Sequence, residues 1–210
     1  QKTNLWIIDV ENVTAEDLQK LQPVLKKWQK KGGMLLALSS GSKLSDAFCK
    51  WLPEDVKLTD RRASALETNK NTAWGSYFEL PDLYFGEMDG ARYILKHGMT
   101  GELIEKGNTV FSASRTDWTL FNNTPEHWKC AQVVLYEALK KPEGAALATY
   151  AFGNVNMVLS VIDYRLWTKE TSAFWKSLFK VMGIEVDKAD TQNGNTKKKE
   201  HDLLMDGPTD

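Results

Sequence analysis

The sequence lacks the marks of several large function classes. Cysteine occurs twice and histidine three times, with no CxxC pair, no Cys/His cluster and no two histidines at helical spacing. No metal site is therefore expected. No phosphate loop or dinucleotide fingerprint is present either: Gly32 and Gly33 follow a helical pattern rather than a strand and read as helix punctuation. Charge of one sign is not in excess. With 27 Lys and Arg against 28 Asp and Glu, no global field favours nucleic acid or an anionic membrane, and neither is an expected partner. No apolar run approaches the ~20 residues that span a bilayer, and the N-terminus lacks the basic segment, apolar stretch and cleavage site of a signal peptide. A soluble polypeptide without a cofactor is expected. Gln1 is followed almost at once by an apolar strand at Leu5, which reads as the interior of a longer reading frame or a processed product, so no compartment follows. Cys49 and Cys130 lie beside Phe48 and Trp128 in helical patterns and read as two buried free thiols.

What is present is an alternation of strand and helix signals. At 210 residues and 42% hydrophobic, the chain can fill one core but not two ordinary enzyme domains. Residues 5–10 (LWIIDV) form a short apolar run, as expected of a strand covered on both faces. Thr14 then caps a helical turn that has Glu16 and Asp17 at its positive end. Pro23 is expected to start a second helical segment with Val24, Leu25 and Trp28 facing inward, closed by the two glycines. Residues 34–38 (MLLAL) complete a βαβ unit. Leu44, Phe48 and Trp51 fit a two-turn helix stopped by Pro53. Residues 56–68 read as extended and mostly exposed, 69–76 (NKNTAWGS) as loop, and 109–114 (TVFSAS) as a buried strand.

Thr124, Pro125 and Glu126 open the strongest helix, to about Lys140, with an inward stripe of Trp128, Ala131, Val134, Leu135 and Ala138. Residues 145–152 and 155–162 flank Gly153–Asn154 as a hairpin, and a last helix carries Phe174, Leu178, Phe179 and Met182 up to Gly183. The polar stretch 187–200 reads as a linker, with 201–210 the start of a further domain or a tail. The expected architecture over residues 1–186 is a three-layer αβα sandwich on a mostly parallel sheet, with a late antiparallel hairpin at one edge. Ligand sites on such sheets lie beyond the carboxyl ends of the strands, here after Val10, Leu38, Ser114 and Ile162.

Two chemistries fit those ends. Ser39 and Ser40, in the elbow after MLLAL, stand where a nucleophile could be presented, but no GxSxG surrounds them and His97, His127 and His201 fit poorly as base. Catalysis is not expected of this chain, and an independent serine hydrolase is the least favoured alternative. The second candidate is aromatic. Residues 74–89 place Trp74, Tyr77, Phe78, Tyr84 and Phe85 among acids, and 115–121 add Arg115, Asp117 and Trp118. Trp74, Tyr84, Arg115, Asp117 and Trp118 suit contacts to a sugar ring or to a neighbouring domain, and core packing must claim some of these aromatics.

The segments 56–67 (VKLTDRRASALE), 81–89 (PDLYFGEMD), 111–128 (FSASRTDWTLFNNTPEHW) and 144–162 (GAALATYAFGNVNMVLSVI) together resemble a domain found after the catalytic barrel in certain multidomain β-galactosidase-like enzymes of glycoside hydrolase family 2. That domain is similar in fold to class I glutamine amidotransferases, a flavodoxin-like sandwich, and the resemblance covers roughly residues 4–186. It implies an accessory domain partnered by neighbouring domains of the same polypeptide, with a glycan as a further possible contact, and a periplasmic or secreted location. Active amidotransferases carry a cysteine in the elbow and a late histidine with a nearby glutamate. Here the elbow reads Ser39, Ser40, Gly41, and the late strand is followed by Asp163, Tyr164 and Arg165, so the resemblance does not extend to amidotransfer. The sugar-cleaving carboxylates would lie in a separate barrel. A carbohydrate-binding module using Trp74, Tyr84 and Trp118 is the main alternative.

Overall fold

The computed structural model describes residues 5–79, 83, 85, 93–114, 123–139, 144–152 and 154–184. Tyr84, Arg115, Asp117 and Trp118, the turn residue Gly153, and the expected linker and tail at 187–210 lie outside the described residues. Among those described, the chain is α/β, with five helices and a mixed sheet of eight strands.

Strand β1 (Leu5–Asp9) leads through the Thr14 cap to α1 (Ala15–Lys31) and then to β2 (Gly33–Leu38), which pairs parallel with β1 from Leu5↔Met34 to Asp9↔Leu38. The predicted βαβ unit is therefore present. At its cap, Thr14 Oγ1 accepts from Asp17 N while the Asp17 carboxylate accepts from Thr14 N, so two orphan donors are satisfied reciprocally. The predicted break at Pro23 does not occur, since one helix runs through it. Leu18, Leu21, Leu25 and Trp28 form a single buried stripe on both sides of the proline, and burial of that stripe outweighs the ~3 kcal/mol that an interior proline costs. At the end of α1, Gly32 has φ +77° and donates to Trp28 O, while a Cβ on Gly33 would stand 2.3 Å from the Trp28 ring.

Helix α2 (Asp46–Trp51), capped by Ser45, follows β2. Strands β3 (Lys57–Ala63) and β4 (Leu66–Thr68) occupy the stretch expected to be exposed. It is extended as predicted, but Arg61, Ala63, Ser64, Ala65 and Leu66 are buried because β3 pairs antiparallel with β5 (Leu95–Thr100) and β4 with β6 (Asn108–Ala113). The short helix α3 (Glu102–Lys106) joins β5 to β6. After α4 (Glu126–Leu139), strands β7 (Ala145–Phe152) and β8 (Val155–Ser160) form the predicted hairpin, and α5 (Lys169–Val181) ends the described chain.

Two expectations about the sheet are corrected. Among the described strands only β1–β2 and β2–β8 are parallel, and the other five pairings are antiparallel. The hairpin is interior rather than at an edge: β8 pairs with β2 on its other side, and β7 with β6 and, at Met99↔Ala145, with β5. A parallel neighbour requires a helix laid back across the sheet. Helix α1 does this for β1 and β2, packing on β2 and β8. Helix α4 does not. Trp128, Val134 and Leu135 of its expected inward stripe are 56, 67 and 62% exposed, and the chain re-enters the sheet antiparallel.

The same displacement exposes Cys130, contrary to expectation, while Cys49 is half-buried and its thiol pKa is raised by burial and by Asp46. Strand β1, expected to be covered on both faces, is outermost in the sheet and exposes Trp6 and Ile7. The core centres on Phe174 of α5, whose ring lies 5.5–5.6 Å from those of Phe78, Phe85 and Phe111. No described helix is long and apolar enough to cross a membrane.

Candidate functional site

The parallel strands β1, β2 and β8 end together, and the residues just beyond them meet. Val10 N donates to Leu38 O, Ser39 N to Ser160 O and Ser45 N to Val10 O, all at 2.8–2.9 Å, which fixes the three chain ends side by side. Glu11 enters from β1, Ser39–Ser42 from β2, and Asp163–Arg165 from the segment after β8. Ser39 and Ser40 are 0% exposed and Glu11 6%.

Glu11 Oε1 accepts from Ser40 N at 2.6 Å, from Ser40 Oγ at 2.5 Å and from Ser39 Oγ at 3.0 Å. Ser40 Oγ also accepts from Arg165 Nη2 and lies 3.0 Å from Ser42 Oγ. Arg165 is oriented in turn by Asp163, whose Oδ1 accepts from the Arg165 backbone N at 3.1 Å and from Nε at 3.4 Å, while Lys96 Nζ holds Oδ2 at 2.7 Å. Gly41 makes the elbow possible. Its φ is +82°, and a Cβ there would stand 2.8 Å from Val161 O. Burial by itself would raise the Glu11 carboxyl pKa, but the Ser40 and Ser39 hydroxyls and the Ser40 and Ser42 amides outweigh it and hold the pKa below the ordinary glutamate value. The Tyr164 phenol nearby is raised by burial and by the charges of Asp9 and Glu11.

This arrangement is a poor nucleophile and a good clasp. A catalytic serine needs access to substrate and a base that takes its proton. Ser40 is buried, its oxygen already accepts from a guanidinium, and its carboxylate partner is a weakened base. His97 Nδ1 donates to the Gly41 carbonyl oxygen at 2.5 Å, so it meets the elbow through backbone and not through a serine hydroxyl. Among the described residues, no group of three or more His, Cys, Asp or Glu side chains could hold a metal ion.

A second feature lies near the opposite ends of β2 and β8. A cleft of about 360 Å³ opens between the sheet and the loop preceding a 3-10 turn at Gly75–Tyr77. Its floor comes from four adjacent strands: Met34 of β2, Asn156 and Val158 of β8, Thr149 of β7, and Asn108 and Val110 of β6. The registers Met34↔Asn156, Val158↔Thr149 and Thr149↔Asn108 place these residues on one face. Asn71, Thr72, Ala73 and Trp74 form the lip. The lip is tied down at both levels. Asn69 N donates to Val110 O at 2.9 Å and Asn69 Nδ2 to Thr109 O at 3.1 Å, while Thr72 Oγ1 donates to Asn69 O at 2.7 Å and accepts from Gly75 N at 2.9 Å. A Cβ at Gly75 would lie 2.1 Å from Asn69 O, so only glycine fits this turn.

The structure thus brings Trp74 to a cleft, where it is half-buried and packs against the core. Phe78 and Phe85 belong to the core and Tyr77 is exposed. Asn71, Asn108, Thr149 and Asn156 had no separate signal as site residues. Thr149 and Asn156 stand as polar residues inside the apolar runs AALATYAF and VNMVLS, but only the strand register shows that they share a face with each other and with Asn108. Glu11 was missed for a related reason, since its partner Ser40 is 29 residues away. No family model, no curated protein and no solved structure matches this chain.

Proposed function

We propose that this chain is a non-catalytic accessory domain of a multidomain glycoside hydrolase acting on β-galactosides or related glycans, packed against neighbouring domains of the same polypeptide. The observation that carries the non-catalytic part is the clasp at the elbow. The position from which an amidotransferase-like fold would present its nucleophile holds a buried serine pinned between Glu11 and Arg165. The parent activity rests on the sequence resemblance, and with it goes the finer description of the fold as a three-layer αβα sandwich of amidotransferase type. The exposed residues of α4 support packing against a neighbour, since three large apolar side chains, Trp128, Val134 and Leu135, are each more than half exposed on one helix.

The test has two arms. An antibody raised against this chain is expected to detect, in the source cells, a polypeptide much larger than this chain, and to co-precipitate β-galactoside-hydrolysing activity. A band at the mass of this chain alone would overturn the reading. The purified chain is expected to leave chromogenic β-galactosides, esters and glutamine unhydrolysed. Ester or amide turnover abolished by Ser40→Ala in a folded protein would establish a serine hydrolase instead.

A further inference from the structure

We propose that the Trp74 cleft is a binding site for a neutral saccharide of one or two pyranose units. The inference is independent of what the parent polypeptide hydrolyses, because it rests on the composition and construction of the cleft.

The lining combines one aromatic ring with side chains that both donate and accept hydrogen bonds. Trp74 and Asn71 stand at the lip, and Asn108, Thr149 and Asn156 lie on the floor. A side-chain amide offers two donors and an acceptor at fixed positions, and a threonine hydroxyl offers one donor and two acceptor lone pairs. Sugar hydroxyls likewise both donate and accept. The side-chain amides of Asn71, Asn108 and Asn156 form no hydrogen bond to other described residues, and all three residues are exposed and line the cleft. Thr149 Oγ1 holds only a long contact of 3.4 Å to Asn108 O. The Trp74 ring supplies the other half of the recognition, since an electron-rich aromatic face attracts the C–H face of a pyranose. A volume of about 360 Å³ falls within the ~300–1,000 Å³ of small-molecule sites.

The same features argue against other ligands. Among the described residues no charged side chain lines the cleft, so a phosphate or carboxylate would find no counter-charge from them. A wholly apolar ligand would strip water from three amides and give them nothing in return. An extended peptide adding as a strand needs a free sheet edge. The floor is instead the face of interior strands: β8 is paired to β2 and β7, and β7 to β8 and β6. The lip is also built before any ligand arrives, because Asn69, Thr72 and Gly75 lock the turn that positions Trp74. A prebuilt site does not have to order its loop on binding, which favours a small ligand with few contacts.

The decisive experiment is a titration of the full isotopically labelled chain with methyl β-galactopyranoside, cellobiose and xylobiose, read by NMR at the Trp74 indole N–H and the side-chain NH2 groups of Asn71, Asn108 and Asn156. The expected result is saturable shifts at those groups for at least one sugar, with the Trp28 and Trp175 indoles unmoved. Trp74→Ala and Asn156→Ala are each expected to weaken binding about tenfold, the free-energy scale of one ring contact or one hydrogen bond. Asn156 is exposed, so its variant keeps the test valid even if Trp74→Ala perturbs folding. Silence across the panel, shifts confined to other parts of the molecule, or tighter occupation of the cleft by inorganic phosphate would each overturn the assignment. None of those outcomes bears on the mass of the parent polypeptide or on hydrolysis by this chain.

Discussion

Ser40 Oγ donates to Glu11 Oε1 at 2.5 Å, and the same serine oxygen accepts from the Arg165 guanidinium. One hydroxyl thereby joins the ends of β1, β2 and β8, segments separated by 29 and 125 residues along the chain. Partners so distant in sequence constrain the fold more than local turns do, and their burial makes an unsatisfied member costly.

Ser40→Ala removes that hydroxyl, which takes one donor from the buried Glu11 carboxylate and the acceptor from the Arg165 guanidinium. The expected destabilisation is about 1–3 kcal/mol, the cost of leaving a buried polar group unsatisfied. Urea unfolding followed by tryptophan fluorescence measures it, and an unchanged slope would show that the fold is otherwise kept. A loss near zero would mean that the clasp contributes nothing net.

The same clasp gives a pH dependence of known sign. The folded-state pKa of Glu11 is lowered, so its ionised form stabilises the native state in full above the ordinary glutamate range. That contribution is lost as the pH falls through the folded-state value. Unfolding midpoints of the wild type and of Glu11→Gln, measured from neutral pH downward, are therefore expected to differ most at neutrality and to converge in acid. A gap that widens in acid would reverse the assignment.

The amount of the fold legible from the chain follows from how local each signal is. The β1–α1–β2 unit, the Thr14 cap, the hairpin strands and α5 were readable because their determinants lie within a few residues of each other. Sheet order was not, because the same apolar run Val155–Ser160 serves equally at an edge or, as here, between β2 and β7. Periodicity marks an apolar helical stripe without saying what covers it, and α4 carries its stripe outward. Of the site, Trp74 was legible as a loop aromatic beside polar residues. Its partners Asn108, Thr149 and Asn156 come from three other strands and are brought together only by register.

Pro23 in the middle of α1 removes a backbone donor and crowds the preceding turn. Its side chain is exposed, so replacement sacrifices no core contact. Pro23→Ala is expected to raise stability, by at most the ~3 kcal/mol propensity difference between proline and alanine in a helix interior. Thermal unfolding checks the direction. A lower midpoint would show that proline's restriction of the unfolded chain outweighs its helical penalty.

Gly75→Ala tests whether the lip of the cleft is built as described. The added Cβ would lie 2.1 Å from Asn69 O, a backbone atom that cannot swing aside, so the turn through Thr72 must open. The expected cost is about 1–3 kcal/mol, as for other overpacked positions, together with a displaced Trp74 indole resonance. An unmoved resonance at full stability would mean that the turn is looser than its hydrogen bonds imply.

Helix α4 separates two readings of one pattern. If Trp128 and Leu135 were core residues, as their spacing predicts, truncation to alanine would cost about 2–5 kcal/mol each. At 56 and 62% exposure they have little to lose on truncation, and alanine is the best helix former. Trp128→Ala and Leu135→Ala are therefore expected to change the stability of the isolated chain by no more than about 0.5 kcal/mol each. In the larger polypeptide proposed above, the same substitutions are expected to speed hydrogen exchange along α4, because there the stripe packs against a neighbouring domain. Exchange equally fast in both contexts would leave α4 without a neighbour, and a large loss of stability in the isolated chain would return the stripe to the core.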